Sequence, residues 1–221
     1  MGCYICGEPA TSVEHAPAKC FFPSDKRVNL TTVDSCSLHN EATSKDDEYV
    51  RNVIAMTIGN NNVALRHFLD TCIKSFIRSP KLLQATTSVN KTVYVKEQEG
   101  EDIKPTYAFK IDRSRIDLVL RKIAYATFFK KYNTTWNREL IIGTEYLRTS
   151  GIEADDLGLI IQNAKKVLDQ PVYEGNNQEV FRFSFQQTDT EDINDQILIM
   201  SFYEGFEVWI FPINDSTGPK I

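Results

Sequence analysis

The chain has 221 residues, with 25 Lys and Arg against 30 Asp and Glu, and its formal net charge of −5 excludes a protein that coats nucleic acid by bulk electrostatics. Apolar and charged fractions of 42% and 25% are those of an ordinary globular chain, long enough for one large domain or two small ones. No run approaches the roughly 18 apolar residues needed to cross a bilayer, and Met1-Gly2-Cys3 is not followed by a basic and then an apolar segment, so no membrane association and a cytoplasmic location are expected.

Residues 1–44 are rich in Cys, Pro, Ser and Thr and show no regular periodicity. Such a segment cannot build an apolar core by itself, so something else must hold it. Ser44-Lys45-Asp46-Asp47 reads as a helix start, with Ser44 as cap and Asp46, Asp47 and Glu48 at the positive end of the dipole. This helix is expected to run to about Ile58, where Gly59 and Asn60 to Asn62 break it. A second helix fits 63–78, with Val63, Leu65, Phe68, Leu69, Cys72, Ile73 and Phe76 largely on one side, His67 structural among them, and Pro80 closing it.

The stretch 79–90 is the expected boundary between an N-terminal unit, 1–80, and a C-terminal unit, 81–221. Beyond it, Thr92 to Val95 and Tyr107 to Ile111 read as a hairpin joined by the acidic loop around Glu99-Gly100-Glu101-Asp102. An amphipathic helix follows from about Arg113 to Tyr132, carrying Ile116, Val119, Leu120, Ile123, Ala124 and Thr127 at helical spacing. Another helix ends near 164–168. Phe181, Phe183 and Phe185 alternate with Arg182 and Ser184 as a strand, and Gln196 to Phe202 and Phe206 to Phe211 flank Glu204-Gly205 as a hairpin. The expected class is α+β, with a C-terminal antiparallel sheet.

Cys3-x-x-Cys6 and Cys36-x-x-His39 are two pairs of equal internal spacing. Two ligands two residues apart in a tight turn can reach one tetrahedral Zn²⁺, and two such turns complete its shell. Binding of that kind contributes on the order of 10–16 kcal/mol to folding, which is what residues 1–44 lack. The alternative for Cys3 and Cys6 is a redox pair, but no βαβ pattern surrounds them. Cys20 and Cys72 have no partner at ligand spacing and read as core residues.

Between the zinc pairs lies Ser12-Val13-Glu14-His15-Ala16-Pro17. A carboxylate beside a histidine suits metal-assisted phosphodiester cleavage, in which one residue binds a divalent cation and the other deprotonates water. Imidazole titrates near neutrality and can accept that proton. Asn40, just after the second pair, offers an amide oxygen as a second ligand. Asp46 and Asp47 are explained more simply by helix capping.

The succession CxxC, Glu-His-x-Pro, Phe-Phe-Pro, Val-Asn-Leu, Cys-x-x-His-Asn and Ser-Lys-Asp-Asp-Glu-Tyr resembles the His-Asn-His (HNH) endonuclease family over residues 3–51. The resemblance implies a zinc-stapled ββα-metal module. It implies that His15 is the general base and that Asn29 holds the loop and orients His15 through its backbone. Glu14 and Asn40 would bind a catalytic Mg²⁺ or Mn²⁺ that stabilises the departing oxygen. Cys3, Cys6, Cys36 and His39 would hold the structural zinc. Glu14 stands where the family more often has Asp, and His39 where a cysteine is commoner, so His39 has the catalytic metal as its alternative.

Charge is uneven. Residues 91–140 carry eleven basic and seven acidic residues, whereas 151–221 carry four basic and thirteen acidic. Arg113, Arg121 and Lys122 are therefore the expected phosphate contacts, salt-sensitive and sequence-blind, with a solvated helix face as the plain alternative. The expected function is a metal-dependent endonuclease acting on nucleic acid, DNA above all, by analogy a bacterial or phage-related antiviral defence effector. The alternatives are a non-catalytic zinc module that docks a protein partner through the acidic C-terminal region, and a latent nuclease licensed by a partner.

Overall fold

The computed structural model describes residues 2–40, 44–87, 90–95, 102–144 and 152–213. Residues 99–101 of the expected acidic loop lie outside them. The chain opens with a two-stranded antiparallel sheet, β1 (Ser12–His15) on β2 (Thr32–Ser35), in register from Ser12↔Ser35 to His15↔Thr32. A single helical turn, α1 (Ser37–Asn40), precedes α2 (Ser44–Ala55). The order is strand, strand, helix. The end of α2 is closed by side chains: Thr57 Oγ1 donates to the Val53 carbonyl and Asn60 Nδ2 to the Ile54 carbonyl.

Asn61 caps the next helix, its Oδ1 accepting from the backbone N–H groups of Val63 and Ala64. The helix expected over 63–78 is present as α3 (Asn62–His67) and α4 (Ile73–Arg78), but an i→i+5 turn over Phe68–Cys72 lies between them. That turn breaks the 3.6-residue register, and Leu65 and Leu69, expected to pack, are 55% and 52% exposed. Pro80 opens α5 (Pro80–Thr87) at the first helical position, where its missing N–H costs nothing, instead of only closing the helix before it.

β3 (Asn90–Val95) and β4 (Lys104–Phe109) form the expected hairpin. In α6 (Arg113–Tyr132), Asp112 accepts from the Arg115 N–H at one end and Asn133 closes the other in the left-handed conformation, φ 55°. Buried residues occur all round its middle, from Ile116 to Phe128, which makes it the central helix of the molecule. The remaining elements are β5 (Glu139–Gly143), α7 (Ile152–Val167), β6 (Glu174–Asn177), β7 (Phe181–Gln186), β8 (Ile197–Phe202) and β9 (Phe206–Ile213). The strands form one antiparallel sheet in the order β5-β9-β8-β7-β6. The class is α+β.

The two halves share one core. Phe21 and Phe202 lie 5.7 Å apart between ring centroids, and Tyr203 OH donates to the Phe21 carbonyl at 2.5 Å. Buried residues from Cys3 to Phe76 and from Ile116 to Ile210 form a single cluster, so the stretch 79–90 does not separate two cores. The β8–β9 turn is pressed against the loop after α2. A Cβ on Gly205 would come within 2.3 Å of the Gly59 carbonyl oxygen, and only glycine permits that approach.

Candidate metal centre

The four expected zinc ligands meet. Cys3 Sγ and His39 Nδ1 are 3.4 Å apart, Cys36 Sγ and His39 Nδ1 3.2 Å, and Cys6 Sγ and Cys36 Sγ 3.9 Å, with all four ligand atoms within 4.8 Å of one another. A tetrahedral zinc with Zn–S near 2.3 Å and Zn–N near 2.0 Å has S···N edges of roughly 3.5 Å and S···S edges of roughly 3.8 Å. The donor set and its spacing therefore fit zinc.

The two pairs are built differently. Cys3 and Cys6 sit on a turn in which the Gly7 N–H donates to the Cys3 carbonyl, with Gly7 at φ +74°. Cys36 and His39 are three apart on the turn of α1, whose Asn40 and His39 N–H groups both donate to the Cys36 carbonyl. Burial alone would push the Cys3 thiol up. The backbone N–H groups of Cys6, Ile5 and Cys36, followed by His39, outweigh it and bring the thiol down to about 6, the thiolate a metal requires.

The expected catalytic constellation is divided. Successive residues of a strand face opposite sides, so Ser12 and Glu14 share one face of β1, and Val13 and His15 the other. Glu14 is held inside: its Oε1 meets Lys122 Nζ at 2.5 Å and its Oε2 accepts from Tyr4 OH at 3.0 Å, with Lys122 4% and Glu14 12% exposed. Asn40 Nδ2 donates to Ser12 Oγ at 2.8 Å. Glu14 and Asn40 thus do not converge with His15 on one cation, which corrects that expectation. Asp47 does more than cap. Burial pushes its carboxyl up to about 6, with Lys122 drawing it down and Glu14 raising it, so it adjoins the same ion pair. Asp46 pairs with Arg115 at 2.6 Å.

His15 is half-buried at the end of β1 and has no side-chain hydrogen-bond partner among the described residues. Burial, and after it the charge of Lys19, hold its imidazole below the ordinary range, which keeps it neutral at neutral pH. Asn29 adopts φ 53°, and its carbonyl accepts from Asn176 Nδ2, while the Val28 carbonyl accepts from Asn177 Nδ2. The loop is therefore tied to β6, and among the described residues no hydrogen bond joins Asn29 to His15.

The expected phosphate contacts on α6 are largely committed internally. Lys122 is buried against Glu14. Arg113 Nε pairs with Asp117 at 2.7 Å and its Nη2 donates to the Ile142 carbonyl at 2.7 Å. Arg121 Nη1 is buried with no hydrogen-bond partner among the described residues. A burial signal was present in the sequence: Lys122 stands three residues after Val119, inside the apolar stripe, and a buried ammonium requires an acid.

His67 is structural as expected. Tyr203 OH spends its proton on the Phe21 carbonyl, so His67 Nδ1 donates to the Tyr203 oxygen, 2.8 Å away, and Nε2 is left bare and buried. Burial, then the charges of Arg51 and Arg27, lower the imidazole to about 4. Among the described residues no helix is long and apolar enough to cross a membrane. Compared with protein-family models, with curated proteins and with solved structures, the chain has no significant match.

Proposed function

We propose that residues 3–55 form an HNH-type, metal-dependent endonuclease module acting on phosphodiester bonds, with DNA as its substrate. The observation that carries this reading is His15: a neutral, half-buried imidazole at the end of the first strand of a strand–strand–helix unit closed by a four-ligand Cys/His cluster. His15 takes the proton of the attacking water. Cys3, Cys6, Cys36 and His39 hold zinc and fix the start of α2. A bound Mg²⁺ or Mn²⁺ would supply Lewis-acid stabilisation of the leaving oxygen.

The Glu14–Lys122 pair favours a second reading, the latent nuclease. Both oxygens of Glu14 are occupied, by an ammonium and by a phenol, and the carboxylate becomes a cation ligand only when α6 gives up Lys122.

Plasmid nicking with added Mg²⁺ or Mn²⁺ tests both readings. His15→Ala loses activity by roughly 10²–10⁴-fold, the usual contribution of a general base, at unchanged zinc content. If the enzyme is latent, Lys122→Met is more active than the unaltered chain. Inactivity of both the unaltered chain and Lys122→Met on plasmid, single-stranded DNA and RNA sinks the nuclease, and leaves the non-catalytic zinc module with a protein partner.

A further inference from the structure

β3 and β4 stand outside the packed body. They pair with each other from Asn90↔Phe109 to Val95↔Lys104, and among the described residues no other element touches them beyond marginal contact. A lone two-stranded hairpin is marginal in water, and this one is open on both sides: Tyr94 and Tyr107 are 73% and 64% exposed on one face. The other face carries Lys91 and Lys104, and Lys110 continues the same alternation just beyond β4. Residues 90–95 and 104–110 contain three lysines and no Asp or Glu. None of these lysines has a carboxylate partner among the described residues, whereas Arg113, Arg115, Lys122 and Lys131 on α6 each meet an acid. The hairpin lysines are therefore turned to solvent, whereas four of the cations on α6 are paired. The hairpin is rooted on α2: the Asp112 N–H donates to Tyr49 OH, and Arg115 lies 4.1 Å over the Tyr49 ring while pairing with Asp46.

We propose that the lysine face of the β3–β4 hairpin is a binding surface for the phosphate backbone of duplex DNA, an inference that rests on the nuclease reading for its choice of nucleic acid. From the Lys104 row to the Lys110 row is six residues, about 20 Å at the strand rise, which spans about six base-pair steps of duplex. Contacts of this kind fix position without reading sequence.

The test is binding of a fluorescent 30-base-pair duplex to the full-length, zinc-loaded chain over a salt series, without added Mg²⁺ or Mn²⁺, beside plasmid nicking by the same preparations. Each phosphate contact contributes about −0.9 to the slope of log K against log salt, so the triple variant Lys91→Gln, Lys104→Gln, Lys110→Gln has a slope shallower by about 2.7. A matched triple variant elsewhere, Arg66→Gln, Lys74→Gln, Lys81→Gln, keeps the original slope. An unchanged slope in the first variant, an equal change in the second, tighter binding of an RNA duplex of the same length, or no binding by the unaltered chain at 50 mM salt overturns the proposal. Nicking separates this from the nuclease reading: a cleaving chain whose slope ignores the hairpin lysines loses only the hairpin surface, and a non-cleaving chain whose slope follows them loses only the enzyme.

Discussion

Residues 2–40 and the sheet of β5 to β9 are held by opposite means. The N-terminal stretch contributes few large buried side chains, chiefly Tyr4, Ile5, Phe21, Phe22 and Val33, and its turns are joined by donor atoms, four of them in the Cys/His cluster. The sheet is held by area. β8 is buried from Leu198 to Phe202, Phe181 and Phe202 lie 5.0 Å apart, and Phe128 of α6 stacks on Trp136 at 4.7 Å. A region fastened at one point fails all at once when that point is lost. A region fastened by area loses stability in proportion to what is removed.

The largest expected effect follows from that contrast. Cys36→Ser, or prolonged chelation, removes on the order of 10–16 kcal/mol of metal-coupled folding free energy, and the loss is local. In hydrogen exchange, amides of residues 2–40 lose protection while those of β7, β8 and β9 keep theirs. Protection of 2–40 that survives complete removal of the metal breaks the comparison.

The contrast also explains what the sequence disclosed. The Cys/His pairs were legible because ligand spacing is local, and α6 was legible because its periodicity runs for five turns between Asp112 and Asn133. β5 and β6 were missed. β6, Glu174-Gly175-Asn176-Asn177, contains no residue that favours strands and is one only because β7 lies beside it. The division between Glu14 and His15 was available in principle, since adjacent strand residues face apart, but Ser12–His15 has no strand signature of its own. Lys122 as the partner of Glu14 was not available, because a contact between residues so distant in sequence is made by packing α6 against β1 and β2.

That ion pair joins the N-terminal stretch to α6, and it carries the next effect. Lys122→Ala leaves Glu14 buried and unpaired, at a cost of roughly 3–5 kcal/mol, whereas removing both charges as Lys122→Met with Glu14→Leu costs much less. Phe202→Ala, within the sheet, costs roughly 3–5 kcal/mol through its cavity and has no such rescue. A double-mutant cycle by urea unfolding measures the first pair. Coupling near zero would mean that the charges are solvated and that the junction is apolar.

The smallest effect in the unaltered chain comes from pH, because two groups oppose each other. Asp47, on α2 beside the Glu14–Lys122 pair, has a folded pKa of about 6 against an ordinary 3.8. Its contribution is complete below pH 4 and is lost as pH rises through 6. His67, on the sheet side, has a folded pKa of about 4 against an ordinary 6.5. Its contribution is complete above pH 6.5 and is lost as pH falls through 4. Each shift corresponds to roughly 3 kcal/mol, so the two slopes nearly cancel between about pH 4 and 6. His67→Phe exposes the Asp47 slope, with stability falling as pH rises. Asp47→Asn exposes the His67 slope, with stability rising. Urea titrations at pH 4.5, 5.5 and 6.5 decide: slopes of the same sign in the two variants mean that at least one of these groups is solvated in the folded chain, and the two regions then do not respond to acid in opposite directions.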